Sequence, residues 1–414
     1  MSAAPALPTR TGRLLTLAAI VLLALNLRTA VASLSPVFGE IGEDIVLTSV
    51  GIGILGTLPP ISFAVFGLLA PAIGRRIGLD TAILVAAAAM TAGHLVRSIA
   101  PDYGVLFGGS LLTLAAVGVG NVLLPPAVKR YFPDRIGTLT ALSSALLATS
   151  AAVPPLVSAP LAATAGWRLD LAVWGFVALT AVAPWIAVWL RERRLRSAAA
   201  LGNDPEVEEP PPLGRTWRSP VAWSTATVFA SSSFNAYAMF AWLPQILVDT
   251  AGIDMFAAGA LLSLYSIAGF PVAVLVPLLA VRMRNAGLLV YPGVAFFLLG
   301  YVGLLLAPGT ATWLWVTAAG LGPLLFPLAI ILINLRTRTH EGSAALSGFT
   351  QGVGYTVGAT GPLLVGLLHQ VSGGWTLPLL LVSALGVAAI PAAIALARPR
   401  MLEDDLAPRS GTAR

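Results

Sequence analysis

Apolar runs of about 18 or more residues recur along this chain from end to end, and each is long enough to cross a hydrocarbon core about 30 Å thick at 1.5 Å of rise per residue. Nothing else in the sequence narrows the fold so far. Within a bilayer every backbone N–H and C=O must find a partner inside the protein, so only helices and closed barrels can span it. A barrel would show segments of about ten residues alternating apolar and polar; unbroken runs select helices. Of 414 residues, 57% are hydrophobic and 10% charged, whereas a soluble domain is about a quarter charged. The runs predict an all-α membrane protein with twelve transmembrane helices, at 14–38, 47–70, 81–99, 104–127, 137–162, 170–190, 220–247, 255–280, 286–307, 311–334, 343–368 and 375–397. The first run is too long for a signal-peptide core and lacks a small-residue cleavage site after it, so it is read as a span.

Twelve crossings place both termini on one side, and Arg/Lys in short loops indicate which. All but three of the 24 Lys and Arg residues fall at the termini or in one set of loops, the exceptions being Arg28, Arg97 and Arg168. Glu40, Glu43, Asp44, Asp102, Asp249 and Asp254 fall on the opposite side. Both termini are therefore expected in the cytoplasm of a bacterial cell. A pI near 10.1 then reflects membrane topology and not nucleic-acid binding.

One stretch is clearly solvated. It begins with basic residues, passes through Glu206, Glu208 and Glu209, and ends in Pro210–Pro212. This divides the chain into an N-terminal six-helix bundle over 1–190, a cytoplasmic linker over 191–219, a C-terminal six-helix bundle over 220–397 and a cytoplasmic tail over 398–414. The halves echo one another, since "SPVFGEIGEDIVLTSVGIG" from Ser35 and "LPQILVDTAGIDMFAAGAL" from Leu243 align Pro36 with Pro244 and Gly51 with Gly259. Internal repeats of this kind build many transporters.

Few residues could carry chemistry. Arg28 stands near the centre of the first span, where a charged side chain costs about 2.5–3.5 kcal/mol. Either it packs against backbone carbonyls, or it faces a water-filled cavity where its planar fork can hold an anion; the second reading is carried forward. No Asp or Glu falls in the middle of a span, which argues against cations as substrates. His94, within the third span, is either a packing histidine or a proton-linked group. Arg97, one turn further on, is expected to snorkel to the headgroups. Asn26, Asn121, Asn235, Tyr237, Gln351 and Tyr355 are interhelical glue or substrate contacts, and Gln351 and Tyr355, four apart, share a helix face.

Cysteine is absent, which removes disulfides and thiol chemistry. No phosphate-binding loop, metal-ligand cluster or nucleophile–base arrangement is present, so the reading is no enzyme, no cofactor, no metal and a secondary mechanism of transport.

Particular strings add a resemblance. "GLLAPAIGRRIG" from Gly67 resembles the loop signature between helices two and three of the major facilitator superfamily, with Gly67, Gly74, Arg75 and Arg76 in register and Pro71 and Ala72 replacing its usual charged pair. "LNLRTAVASLSPVFGEI" from Leu25, "GVGNVLLPPAVKRYFPDRIG" from Gly118, "AWLPQIL" from Ala241 and "LSGFTQGVGYTVGATGPLLVG" from Leu346 are similar to the cyanate and 2-nitroimidazole porter branch. The resemblance implies two six-helix bundles around a central cavity and alternating access. It places Arg28 in the first-helix motif, Asn121 in the fourth-helix motif and Gln351 with Tyr355 in the eleventh-helix motif, and makes the third helix peripheral.

The functional expectation is a monomeric secondary transporter of a small anionic or polar solute such as cyanate, with the bilayer as its other partner. Efflux of nitroimidazole-like drugs is the alternative. A transporter-fold sensor without flux is a competitor from another class, but would need a partner-binding domain that the linker and tail do not supply.

Overall fold

A computed structural model of the chain describes residues 10–132, 134–198, 216–398 and 400–406. Residues 199–215 of the predicted linker and 407–414 of the predicted tail lie outside the described residues. All regular structure among the described residues is helical. We label the long segments in chain order: α1 (Gly12–Ala32), α2 (Ser49–Ile77), α3 (Leu79–Ser98), α4 (Tyr103–Tyr131), α5 (Ile136–Ala165), α6 (Trp167–Ala198), α7 (Pro220–Ala251), α8 (Met255–Arg282), α9 (Ala286–Leu306), α10 (Thr312–Leu335), α11 (His340–Ser372) and α12 (Thr376–Leu396).

Ten of these are long and apolar enough to cross a membrane. The other two, α7 and α11, are long enough at 32 and 33 residues but more polar: α7 carries Ser231, Ser232, Ser233 and Asn235, and α11 carries Ser347, Thr350 and Gln351. Polar residues at membrane depth are tolerated where a helix faces protein instead of lipid, and α7 is the more completely buried of the pair. The apolar helices behave in the opposite way. Only 22% of the most apolar window of α8 is buried, with Leu275, Leu278 and Val281 exposed; water would be a poor solvent for that face and hydrocarbon a good one.

Contacts divide the chain into two compact units, residues 1–46 with 65–207 and residues 47–64 with 208–414. The first half of α2 thus groups with the second unit. Gly53 and Gly56 lie against Pro362 of α11, where a Cβ would approach to 2.9 and 2.7 Å. Small residues of this kind let helix backbones come close when no hydrophobic force separates helix from lipid.

The internal repeat takes structural form in a tryptophan clamp found once in each unit. Trp167, opening α6, donates its Nε1–H to Asp44 at 3.0 Å, and Trp375, just before α12, donates to Asp249 at 2.9 Å. The two tryptophans are separated by the same offset as Pro36 from Pro244 and Gly51 from Gly259. Arg168 also pairs with Asp44, and Arg168 and Trp167 together hold that carboxyl below the usual carboxylate range.

At the arginine-rich end of the first unit, Arg13 grips Asp134 through contacts of 2.5 and 2.7 Å, and Arg130 lies 3.1 Å from Glu192. Tyr131 donates to the buried Asp80 at 2.5 Å. These pairs tie α1, α3, α4 and α6 together.

The second unit is closed differently, by a short helix α13 (Leu402–Leu406) that follows α12. Leu402 is fully buried. Glu403 accepts from the backbone N–H of Arg338 at 2.8 Å and of Thr339 at 3.0 Å, capping the N-terminus of α11, where backbone donors lack helical partners. Although burial opposes it, those donors hold the Glu403 carboxyl below its ordinary range, and Arg338 does the same for Asp404. A depressed carboxylate stabilises the fold above its unfolded-state pKa and loses that contribution as pH falls through the folded one. Replacing Glu403 by glutamine is expected to lower stability by roughly 1 kcal/mol at neutral pH. Melting curves of the two proteins in detergent should converge below about pH 4; a constant difference at all pH values would show that the carboxylate charge contributes nothing.

Candidate functional site

The helix predicted over 14–38 is not continuous. It runs from Arg10 to Asn26, breaks at Leu27–Arg28 and resumes for the single turn Thr29–Ala32, followed by a 3-10 turn at Ser35–Val37 and the short helix Phe38–Asp44. The residues explain the break. Asn26 turns its amide back to the carbonyl of Leu22 at 2.8 Å and across to Val177 of α6 at 3.3 Å, while Thr29 donates to the carbonyl of Asn26 at 2.9 Å. Side chains that compete with the backbone in this way interrupt helices, and Pro36 further on has no N–H to continue the ladder. Arg28 sits at the break with φ −125° and ψ −11°, half-buried, its carbonyl accepting from Val31 and Ala32. Broken helices inside membrane proteins are found where backbone lines a polar cavity or a binding site.

Asn121 lies on α4 beside this break. Gly120 faces Leu27, where a Cβ would come within 2.9 Å of Leu27 Cδ2, so α4 crosses α1 one residue before both Asn121 and Arg28. Asn121 is half-buried. The first unit thus brings together two of the predicted substrate residues.

The second unit brings together others. Tyr237 of α7 and Tyr355 of α11 have ring centroids 6.5 Å apart, and Phe63 of α2 stands edge-on to both at 6.4 Å. Phe229 meets Tyr355 at 5.1 Å and Phe326 of α10 at 5.1 Å. The approach of α7 to α11 that builds this ring cluster depends on glycine: a Cβ on Gly354 would fall 2.1 Å from Phe229, and one on Gly358 would fall 2.9 Å from Ser233. Gln351, one turn before Tyr355, donates to Ser347 at 2.8 Å and is half-buried. Asn235 is fully buried and donates to the carbonyl of Ser231 at 2.9 Å; its Oδ1 accepts nothing from the described residues.

The loop-motif residues occupy the end of α2. Gly67 and Gly74 face Val122 and Leu123 of α4 at ordinary contact distance, and Arg75 and Arg76 are exposed in the last turn, where cations complement the helix dipole.

One expectation is corrected outright. Arg97 does not snorkel; it is fully buried, donating to the carbonyl of Ala30 at 3.3 Å and the hydroxyl of Ser33 at 3.2 Å. Its Nη2 stands 3.0 Å from His94 Nδ1. The snorkelling argument assumes a lipid-facing helix surface, whereas this face of α3 turns inward. Sequence reading also passed over Asp170, which it placed at a span end; the carboxyl is fully buried in the first turn of α6. Phe63, Phe229 and Phe326 were indistinguishable in sequence from lipid-facing aromatics.

Long apolar helices in two units, a cation at a helix break and a ring cluster between polar helices define a multi-pass membrane transporter. The chain belongs to the Major Facilitator Superfamily, whose family model matches residues 17–323. It is 33% identical to the uncharacterized transporter YycB of Bacillus subtilis over 88% of this chain and 89% of that one. It is 31% identical to the 2-nitroimidazole transporter of Escherichia coli over 91% and 93%, and 23% identical to the cyanate transport protein CynX of the same organism over 86% and 90%. Among solved structures, a bacterial homologue of the lysosomal transporter Spinster in an inward-facing, unoccupied conformation superposes with a TM-score of 0.74 at 13% identity, covering 97% of this chain and all of that one. The D-xylose–proton symporter gives 0.66 at 14% identity over 96% and 99%. Both show the fold.

Proposed function

We propose that this transporter carries a small planar anionic or strongly dipolar solute across the bacterial cytoplasmic membrane by alternating access, as a monomer with both termini in the cytoplasm. The observation that carries this reading is Arg28 at the break of α1: a guanidinium set among unwound backbone, where its planar fork can hold two oxygens of one anion. Asn121 beside it is the polar contact proposed to fix orientation there; Asn235, Tyr237, Gln351 and Tyr355 of the second unit are proposed as substrate contacts within that unit. The names of two relatives, a cyanate and a 2-nitroimidazole transporter, fit such a solute. Gly67, Gly74, Arg75 and Arg76 are proposed to serve the conformational cycle.

The ring cluster favours the nitroaromatic reading over cyanate. Edge and face contacts with Tyr237, Tyr355 and Phe63 suit a flat conjugated ring, and such pairs contribute about 0.5–1.5 kcal/mol each beyond the area they bury. Uptake and exchange in liposomes, measured for cyanate, nitrate, small carboxylates and 2-nitroimidazole, test both readings. Tyr355→Leu should weaken 2-nitroimidazole transport about tenfold and leave any cyanate transport within twofold; equal loss of both would remove the ring cluster from selectivity. Orientation is tested by a cysteine at position 202 in this cysteine-free chain. An impermeant thiol reagent should label it only after the membrane is opened.

A further inference from the structure

At the arginine-rich end of the first unit, α6 carries a cavity that the solute reading leaves unused. Its volume is about 450 Å³, and Ala187, Leu190, Arg191 and Arg194 line it. Their spacing puts all four side chains on one face of the helix. The part of α6 that is apolar enough to cross a membrane ends at Arg194, so both guanidinia stand where hydrocarbon gives way to headgroups.

Arg191 reaches across to α1. A Cβ on Gly12 would run into its guanidinium, so the missing side chain at position 12 is what lets Arg191 lodge against that helix. The Gly12 carbonyl already accepts from the Thr16 hydroxyl at 2.9 Å. The acids nearby are committed elsewhere. Glu192 pairs with Arg130, Asp80 accepts from Tyr131, and Asp134 pairs with Arg13. Arg193, between the two lining arginines in sequence, lies over the Trp189 ring at 5.1 Å. Arg191 and Arg194 take no partner among the described residues.

Two like charges three residues apart are neighbours on a helix surface and repel when nothing stands between them. An anion held by both removes that cost, and guanidinium forks match a phosphate in geometry. The surface beside them says what kind of anion. From the cavity an apolar track runs back along α6, with Leu190, Ile186, Leu179 and Phe176 all exposed on one side of the helix. Such a track suits a hydrocarbon chain and gives a soluble ion nothing. Membrane topology alone accounts for positive charge at this end. It does not account for two uncommitted guanidinia around one cavity, one of them lodged against a glycine.

We propose that this cavity binds one anionic phospholipid, with its phosphodiester between Arg191 and Arg194 and an acyl chain along Leu190 and Ile186, and that the bound lipid fastens α6 to α1. A zwitterionic phosphatidylcholine offers the same phosphate but brings a quaternary ammonium towards the arginines, so it binds more weakly. The site stands independently of which solute is carried.

The test compares nanodiscs of phosphatidylcholine with and without added phosphatidylglycerol. Wild type should melt at a higher temperature with phosphatidylglycerol present, and native mass spectrometry should find one such lipid retained per chain. Changing Arg191 and Arg194 together to glutamine should weaken that retention about tenfold or more. The same loss of charge at the exposed Arg282 and Arg284 should leave it as in wild type. Gly12→Leu keeps every charge but pushes Arg191 off α1, so it too should lose the lipid, and it decides the matter if the double arginine variant folds poorly. Equal retention of the two lipids by wild type, or equal losses in the two double variants, overturns the site. Inorganic phosphate added to the detergent-solubilised protein should not raise its melting temperature; a rise as large as that given by phosphatidylglycerol would make the cavity a site for soluble anions. Retention that appears only after Glu206, Glu208 and Glu209 are changed to glutamine would give the arginines to the acidic linker and overturn the lipid.

Discussion

Arg28→Lys is expected to lose nearly as much transport as Arg28→Ala, with melting temperatures close to wild type for both. A lysine keeps the charge and can reach carbonyls or water on its flexible stem, so a purely structural cation would tolerate the exchange. A planar anion held by two parallel N–H donors would not, because an ammonium is a point charge without that fork. Hydrogen bonds to charged groups contribute about 1.5–3 kcal/mol each, so losing one corresponds to roughly a tenfold to hundredfold weakening. Arg28 stands at a break whose backbone also takes contacts from the flanking Asn26 and Thr29, so melting temperatures are measured beside transport. Affinity and initial uptake rates for wild type, Lys and Ala decide it: normal transport by the lysine variant removes the bidentate role, and unfolding of both makes Arg28 structural.

The largest effect on stability is expected at Arg97. Arg97→Met fills similar volume but withdraws the donors to Ala30, Ser33 and His94 and the positive charge that acts on the buried Asp170. Buried acceptors left without partners cost about 1–3 kcal/mol each, and removing one side of a buried charge arrangement costs about 3–5 kcal/mol. Adding Asp170→Asn should restore part of the loss, because the charge left behind is then smaller, so the two changes are not additive. Denaturation midpoints of wild type, both single variants and the double variant complete the cycle. Simple additivity would mean that Arg97 and Asp170 do not sense one another.

How far the site was legible depends on whether each residue stands out from its surroundings in the chain. Arg28 did, as a charge inside an apolar run. Tyr237 and Tyr355 did so weakly, as aromatic rings with polar tips inside predicted spans. Asp170 did not, because a carboxylate in the first turn of a helix is what an ordinary helix start looks like, and only packing against α3 turns it into a buried acid. Phe63, Phe229 and Phe326 carry no mark of their own among the many apolar residues exposed on these helices.

By itself the sequence determined the solvent, the secondary structure and the order of the helices. Run length against bilayer thickness leaves no other regular structure open, and it does so locally, one segment at a time. Tertiary structure alone decided which face of each helix turns inward. In lipid the apolar pattern that marks a buried face in water is lost, since lipid-facing and protein-facing surfaces are alike apolar. That is why Arg97 was read as reaching for headgroups when it is buried, and why the break at Arg28, set by the competition of Asn26, Thr29 and Pro36 with the helix ladder, was read as a continuous span.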